Sequence, residues 1–368
     1  MLYHLLAPLS SRHIFFNLFN YITFRLAGGM ATAIVLSFLL GPPIIRALRR
    51  LRLGQVVRTD GPETHLGKAG TPTMGGVLII SSAVIATLLW ARLDIAFTLI
   101  SVAVLVALGA IGFLDDYLKV VRRRTEGLVG RYKLFGQSLV GFLVGGFLLL
   151  RPISTYPTNW TTLPFFAEYH VELWPLLFVP WVMFLVAGSS NAVNLTDGLD
   201  GLAGGLCAIA AFTFAVFAYV MGRTDTSRYL GLFYLPGAGE LAIFCVALSG
   251  ATLGFLWYNA HPAEVFMGDT GSLALGGSLA TTAILLKMEF VLPIIGGVFV
   301  AETLSVMGQV GWFKYTRRRF GEGRRLLRMA PLHHHFEKLG WAESKIIMRF
   351  WILGILCALL GLSTMKVR

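Results

Sequence analysis

The chain has 368 residues, of which 56% are hydrophobic and only 14% are charged. Soluble domains carry about 25% charged residues, so this composition excludes an ordinary soluble globular protein. A formal net charge of +12 would suit a nucleic-acid-binding protein, but the basic residues cluster beside long apolar segments, where membrane topology explains them. We therefore expect a polytopic membrane protein that does not bind nucleic acid.

Ten apolar segments predict about ten transmembrane helices in an all-α fold. A helix needs roughly 17 to 25 mainly apolar residues to span a bilayer, and segments of this length recur along the whole chain. They lie at 23–45, 73–91, 95–114, 133–150, 173–190, 201–221, 239–257, 271–287, 289–313 and 345–364. We expect them to form one integral membrane domain covering residues 1–368.

The distribution of lysine and arginine predicts how the chain is oriented. The loops that hold 21 of the 31 basic residues all lie on one side of the predicted membrane, at 46–72, 115–133, 191–200, 258–270 and 314–345. By the positive-inside rule this side is cytoplasmic. Because the number of spans is even, both termini are then periplasmic. The polar motifs all fall on the cytoplasmic side, so we expect a site at that face.

The segment 190–205 places polar residues between two apolar spans. Asn194, Asp197 and Asp200 recur at every third residue, so a helical turn would bring them to one side. Gly198 and Gly201 leave the adjacent backbone open to a ligand. The structural alternative is helix capping, with Asp197 as the N-cap and Asp200 at the third helical position.

Three further aspartates predict a site for a cation. Asp115 and Asp116 end an apolar span, where adjacent carboxylates repel each other and a helix C-terminus disfavours negative charge. A cation would compensate both effects. Asp269 lies between Gly268 and Gly271 at the start of another span, where it could cap the helix or ligate an ion.

Other polar residues in or beside the cytoplasmic loops are candidate substrate contacts. Lys68 and Thr73 precede the second span in a glycine-rich loop that could hold phosphate or sugar oxygens, the alternative being an entry turn with capping threonines. Three successive histidines, at 333–335, cannot all reach one ion from regular structure, so we expect phosphate or nucleotide contacts, or else a surface turn. Glu302 is an intramembrane acid, either functional or paired with a neighbouring helix.

Together these groups predict phosphoryl transfer at a membrane surface. Carboxylates that hold Mg²⁺ against substrate phosphates, and lysines that neutralise charge, are the groups this reaction needs. A site at the membrane interface implies one lipid substrate and one soluble substrate. A transporter that couples ion movement would instead have acids along a central path, whereas these acids gather at one face.

Four motifs resemble those of the polyprenyl-phosphate N-acetylhexosamine-1-phosphate transferases. They are Asp-Asp at 115–116, Asn-Leu-Thr-Asp-Gly-Leu-Asp-Gly at 194–201, Phe-Met-Gly-Asp at 266–269 and Pro-Leu-His-His-His at 331–335. The resemblance extends over nearly the whole chain. It implies transfer of phospho-MurNAc-pentapeptide from its UDP carrier to undecaprenyl phosphate, giving lipid I and UMP in the first membrane step of peptidoglycan synthesis. Transfer of GlcNAc-1-phosphate from UDP-GlcNAc is the alternative, and the histidine triplet favours the muramoyl substrate.

The resemblance also implies a Mg²⁺ requirement, a homodimer, a bacterial inner membrane, and a bent ninth span that lines a lipid groove. It implies that Asp269 is the metal ligand and that Asp115 and Asp116 orient or deprotonate the lipid phosphate. The implied substrate contacts are Asn194, Asp197, Asp200, Asn259 and Phe266, with uracil stacked on Phe266, together with Lys68, Thr73, Lys119, Lys133, His333, His334 and His335 for the phosphates and sugar.

Overall fold

The computed structural model describes residues 1–50, 70–120 and 127–366, apart from the side chains of residues 167–169. Most of the described chain is α-helical. The helices are α1 Leu2–Leu6, α2 Ile22–Arg50, α3 Gly76–Trp90, α4 Ala96–Val120, α5 Gly130–Leu150, α6 Pro175–Thr196, α7 Leu202–Met221, α8 Thr224–Leu230, α9 Ala238–Asn259, α10 Gly268–Leu285, α11 Leu292–Ile295, α12 Gly297–Phe320, α13 Leu332–Lys338 and α14 Glu343–Ser363. Two 3₁₀ helices, Ala7–Ser11 and Ile14–Asn20, precede α2.

Seven of the described helices are long and apolar enough to cross a membrane: α2, α4, α5, α6, α7, α9 and α14. They confirm the prediction of a helical, multi-pass membrane protein. The predicted spans 73–91, 271–287 and 289–313 correspond to helices outside this set. Of these, α3 has only 15 residues, and α12 carries the buried Glu302 and three arginines in its last turn.

Helix α10 is less apolar than a lipid-facing helix because protein surrounds it. Every residue from Asp269 to Leu285 is buried, and the helix packs against α4 and α6, with further contacts to α3 and α7. A helix that meets only other helices needs small side chains more than large apolar ones. The glycines, serines and threonines of α10 meet that need and keep the neighbouring helices close.

A second central helix, α9, packs against α2, α3 and α7. Arg25 of α2 forms a buried, two-pronged ion pair with Glu240 of α9, with Nη1–Oε2 and Nη2–Oε1 distances of 2.7 and 2.8 Å. Burying two charges is costly unless they are paired and hydrogen-bonded, as they are here. This pair joins the starts of α2 and α9.

The predicted ninth span is interrupted. Helix α11 ends at Ile295, Gly296 follows with φ −86° and ψ 22°, and α12 begins at Gly297. Pro293 lies in the first turn of α11, where its missing N–H leaves no helical hydrogen bond unmade. The break therefore falls at a glycine, beside a turn that contains proline, and both residues are common at helix kinks.

The loop at 151–172 contains a hairpin that the all-α prediction did not anticipate. Strands β1 Trp160–Leu163 and β2 Phe166–Glu172 pair in antiparallel fashion. The buried Lys287, in the turn after α10, donates from Nζ to the carbonyl of Pro157 at 2.7 Å, and its own carbonyl accepts from Thr162 N at 3.0 Å. These contacts dock the hairpin on the turn between α10 and α11.

Candidate active site

Three aspartates converge where the end of α4 meets the start of α10. Asp115 and Asp116 lie near the end of α4, and Asp269 is the second residue of α10. All three are buried, and one carboxylate oxygen from each lies within 4.8 Å of the others. Gly112 permits this approach, because a Cβ at that position would collide with the carbonyl oxygen of Asp269. The sequence-predicted acidic residues from two distant segments therefore meet in space.

Asp116 caps the helix that carries Asp269. Its Oδ1 accepts a hydrogen bond from Asp269 N at 3.2 Å, and its Oδ2 accepts from Thr270 N at 2.9 Å and Thr270 Oγ1 at 2.7 Å. The residue before α10, Met267, supplies no side-chain cap. The positive end of α10 thus compensates an acid placed near the unfavourable end of α4. Asp269 itself lies inside the helix and does not cap it, which excludes the structural alternative for this residue.

Two lysines form ion pairs with Asp115 and Asp269. Lys119 Nζ lies 2.6 Å from Asp115 Oδ2 and 2.9 Å from Asp269 Oδ2. Lys133 Nζ lies 2.7 Å from Asp269 Oδ2 and 3.8 Å from Asp115 Oδ2. The second oxygen of Asp115 accepts from Leu128 N at 2.6 Å. Two ammonium groups therefore neutralise two carboxylates that would otherwise repel each other across the gap between the helices.

This donor set fits a divalent cation that prefers oxygen ligands. Asp115, Asp116 and Asp269 offer carboxylate oxygens close enough to surround one ion. Asp269 is the best placed of the three, because both oxygens of Asp116 accept hydrogen bonds from α10 and Oδ1 of Asp115 accepts one from Leu128 N. The ammonium groups of Lys119 and Lys133 lie beside Asp269, so this position already stabilises positive charge.

Thr73 lies beside the carboxylates. The segment before α3 pairs with the segment before α10, through Gly75 N to Phe266 O and Phe266 N to Pro72 O, each at 2.8 Å. Gly268 has a φ of 72°, and a Cβ there would lie 2.8 Å from Thr73 Oγ1 and 2.6 Å from Asp116 Oδ2. Helix α3 has no side-chain cap, so the capping alternative for Thr73 is not observed. Lys68 lies outside the described residues.

The turn after α6 approaches the same cluster. Asp197 follows α6 as its C-terminal cap residue, and α7 starts at Leu202 after Gly201, whose φ is +82°. Asp197 and Asp200 both precede Gly201, the N-cap of α7, so the capping alternative, with Asp197 as the N-cap and Asp200 at the third helical position, is not observed. Burial and the negative charges of Asp269, Asp116 and Asp200 raise the pKa of Asp197 to about 8. Asn194 is half-buried in the last turn of α6.

Asp200 and Asn259 hold this turn against the end of α9. Asp200 Oδ2 lies 3.2 Å from His261 Nδ1, and its backbone nitrogen donates to Glu343 Oε1 at 3.0 Å. Asn259 accepts from Gly201 N at 3.0 Å through Oδ1, and its Nδ2 donates to Val265 O at 2.9 Å.

Asp200, His261 and Glu343 form a second group with closely spaced ligand atoms. The sequence patterns do not single out His261 or Glu343 as site residues. A histidine before a proline and an acid in a first helical turn are both ordinary structural features. Only the meeting of three distant segments reveals the group.

The three histidines of α13 have three different partners. His333 is fully buried, with its Nδ1 3.1 Å from Glu302 Oε1. His334 Nδ1 lies 2.6 Å from Glu337 Oε2, and His335 Nδ1 accepts from Arg328 N at 3.1 Å. On the opposite side of its ring, His333 Nε2 faces Gly198, where a Cβ would collide with it. The triplet therefore does not converge on one ion, and its first member reaches the turn that contains Asp197.

Comparison with known proteins gives matches along the whole chain. The model of glycosyl transferase family 4 matches residues 97–287, and phospho-N-acetylmuramoyl-pentapeptide-transferase signature 1 matches residues 68–80. The chain is 57% identical to the phospho-N-acetylmuramoyl-pentapeptide-transferase of Gemmatimonas aurantiaca, and 54% identical to those of Citrifermentans bemidjiense and a Geobacter species. Each alignment covers 100% of both chains. The chain therefore belongs to glycosyl transferase family 4 and, within it, to the phospho-N-acetylmuramoyl-pentapeptide transferases.

Proposed function

We propose that the protein transfers phospho-MurNAc-pentapeptide from UDP-MurNAc-pentapeptide to undecaprenyl phosphate, producing lipid I and UMP. This is the first membrane step of peptidoglycan synthesis. The observation that carries the proposal is 57% identity over the full length of a relative named for this transferase activity. The cluster of Asp115, Asp116, Asp269, Lys119 and Lys133 supports it, because phosphoryl transfer depends on positioning and charge stabilisation.

The proposed cofactor is Mg²⁺, with Asp269 as its main ligand. When bound, the ion would neutralise charge on the pyrophosphate oxygens. Lys119 and Lys133, whose ammonium groups pair with the same carboxylate, are then available to the substrate phosphates. Asp115 orients or deprotonates the lipid phosphate. Asp116 contributes to the same step by fixing the helix start on which Asp269 stands, as its contacts with Asp269 and Thr270 support.

The sugar nucleotide is proposed to bind on the side of the turn at 194–201. Asn194, Asp197, Asp200, Asn259 and Phe266 form the nucleotide side, with the uracil stacked on the Phe266 ring. The hydrogen bonds from the Asp200–Gly201 backbone and from Asn259 support a fixed turn there. The proposed phosphate and sugar contacts are Lys68, Thr73, Lys119, Lys133, His333, His334 and His335.

The proposed setting is a bacterial inner membrane, with ten spans, periplasmic termini and the site at the cytoplasmic face. The seven apolar helices and the 21 basic residues in the loops on the site's side support this arrangement. We propose that the interrupted α11–α12 segment lines the groove for the lipid substrate, and that the protein is a homodimer. A cytoplasmic site beside a lipid groove suits this reaction, because a lipid acceptor and a soluble donor meet only at the membrane surface.

The test is a reaction of purified protein in detergent with UDP-MurNAc-pentapeptide, undecaprenyl phosphate and Mg²⁺. We expect labelled lipid I and UMP in equal amounts, and little or no product from UDP-GlcNAc. The His334→Ala variant should retain its fold and lose turnover of the sugar nucleotide. Comparable rates with both sugar nucleotides would assign the chain to the wider group of hexosamine-phosphate transferases instead.

A further inference from the structure

A buried acid on α12 supports the start of α13. Glu302 and His333 are both 0% exposed, and Glu302 Oε1 accepts from His333 N at 3.2 Å while lying 3.1 Å from His333 Nδ1. Pro331, the residue before α13, provides no side-chain cap. Glu302 therefore supplies, from another helix, an acceptor that the first turn of α13 lacks.

This contact also fixes the protonation pattern of the histidine ring. A carboxylate oxygen can only accept, so Nδ1 of His333 carries the hydrogen that faces Glu302. The same oxygen also accepts from the backbone nitrogen of His333, so it holds both the ring and the main chain of this residue. Its other nitrogen, Nε2, is buried and has no hydrogen-bond partner among the residues that the structure describes.

The buried Nε2 is directed at the turn assigned to the sugar nucleotide. Position 198 tolerates only glycine in this arrangement, because a Cβ there would collide with Nε2. The preceding residue, Asp197, is close enough to Asp269 for its charge to act on the pKa of Asp197. His334 and His335, by contrast, bond to Glu337 and to the backbone of Arg328, within or just before α13.

We propose that Glu302 is a positioning residue for the transferase reaction, acting through His333. It holds His333 in the Nδ1–H form and keeps Nε2 against the turn at Gly198, and so governs the sugar-nucleotide side rather than the lipid side. The inference rests on the proposed function, since it names the partner that orients one of the proposed sugar-phosphate contacts.

The experiment compares Glu302→Gln with Glu302→Met. Both side chains are close to glutamate in size, but only glutamine keeps an acceptor oxygen for His333. We expect Glu302→Met to raise KM for UDP-MurNAc-pentapeptide about 10-fold or more, by analogy with the loss of the partner that orients a metal-bound histidine. KM for undecaprenyl phosphate should stay unchanged, and Glu302→Gln should stay within about threefold of the parent in both constants.

A double-mutant cycle tests whether Glu302 acts through His333. His333→Asn keeps an N–H near the Nδ1 position for Glu302 but removes Nε2, so it should fold and show the same rise in KM for the sugar nucleotide. The double variant Glu302→Met/His333→Asn should have nearly the same KM for the sugar nucleotide as either single variant, because both changes break the same chain of contacts. An unchanged KM for the sugar nucleotide in His333→Asn overturns the inference, even if Glu302→Met cannot be purified in folded form.

The parent protein separates this inference from the proposed function. A parent that does not turn over UDP-MurNAc-pentapeptide contradicts the function, whatever the variants do. An active parent with variants that keep its KM values contradicts only the role of Glu302. Equal rises in both KM values would point to a general loss of structure, and effects that multiply in the double variant would show that Glu302 and His333 act independently; either result would overturn the inference.

Discussion

Asp116 holds the start of the helix on which Asp269 stands, accepting from Asp269 N at 3.2 Å and from both the backbone and the hydroxyl of Thr270. The two aspartates are 153 positions apart in the sequence. Asp115, the neighbour of Asp116, instead shares its ammonium partners with Asp269. The two adjacent aspartates therefore have different roles. Asp116 stabilises the start of α10, and Asp115 contributes negative charge beside Asp269.

Asp269→Asn should reduce turnover by roughly 10³-fold or more, the scale of losing one strong electrostatic contribution to a transition state. Excess Mg²⁺ should restore only part of the activity. Asp115→Asn should also be severe, but with a smaller change in Mg²⁺ dependence, because its proposed partner is the lipid phosphate. Initial rates against Mg²⁺ concentration at saturating substrates provide the measurement. Wild-type Mg²⁺ affinity in Asp269→Asn, together with its loss in Asp115→Asn, would reverse the two roles.

Asp116→Asn should lower thermal stability as well as turnover. An asparagine places an NH₂ group at one of the two oxygen positions of Asp116, and both positions now accept N–H groups from α10, so a donor would face a donor in either orientation. We expect a loss of about 1–3 kcal/mol, the cost of leaving buried groups unpaired. Thr270→Val is the matched control, since it removes only the hydroxyl bond and should cost less. Melting curves in detergent test this, and a parent-like curve for Asp116→Asn would contradict the capping role.

Stability should depend on pH through Asp197. Burial and the charges of Asp269, Asp116 and Asp200 raise the pKa of Asp197 to about 8, against 3.8 for an ordinary aspartate. Between these values the folded protein keeps a proton that the unfolded chain has released, so this residue's contribution to stability falls as the pH rises from about 4 to about 8. Asparagine carries no such charge at any pH.

In EDTA, Asp197→Asn should therefore raise the melting temperature above that of the parent at pH 8, and by less at pH 5. Addition of Mg²⁺ at pH 8 should narrow the difference, because a nearby cation favours the charged form of Asp197. Melting temperatures of the two proteins at both pH values provide the measurement. A difference that is the same at pH 5 and pH 8 would show that the carboxyl group titrates normally.

Gly112→Ala should disturb the site by separating α4 from α10. The added methyl group would collide with the carbonyl oxygen of Asp269, and neither backbone can move without its neighbours. Overpacking of this kind costs about 1–3 kcal/mol and should also lower turnover, because the carboxylates no longer converge. Gly146→Ala on α5 is the control, since a Cβ there meets no atom within 4 Å. Equal stability and activity in the two variants would contradict the close approach.

The site should be reached from the cytoplasm. Single cysteines at Glu264 and Glu322, both exposed, should resist a membrane-impermeant thiol reagent in intact cells and react after the cells are opened. A cysteine at the exposed Arg228, on the opposite side of the predicted membrane, should react in intact cells. Labelling of either of the first two positions from outside would contradict a single cytoplasmic site.

Much of the fold can be predicted from the sequence because hydropathy and charge act locally. Apolar runs of spanning length predict the helices, as α4 and α7 illustrate, since each lies where a run was recognised. The interior helix α10 is harder to recognise from hydropathy, because the small residues that suit contact with other helices also lower its mean hydropathy. The hairpin at 160–172 has no comparable local pattern, and its docking depends on Lys287 from a distant turn.

Composition, apolar segments and motifs are enough to identify the membrane class, the family and the acidic and basic residues that the site would contain. The pairing of these residues is visible only in the folded protein: Asp116 with the start of α10, Lys119 and Lys133 with Asp269, and Glu302 with His333. The physical reason is that hydropathy and helix periodicity describe each segment alone. Hydrogen bonds and ion pairs between residues 31 to 154 positions apart depend on how closely the helices pack, and so on atoms that no local pattern contains.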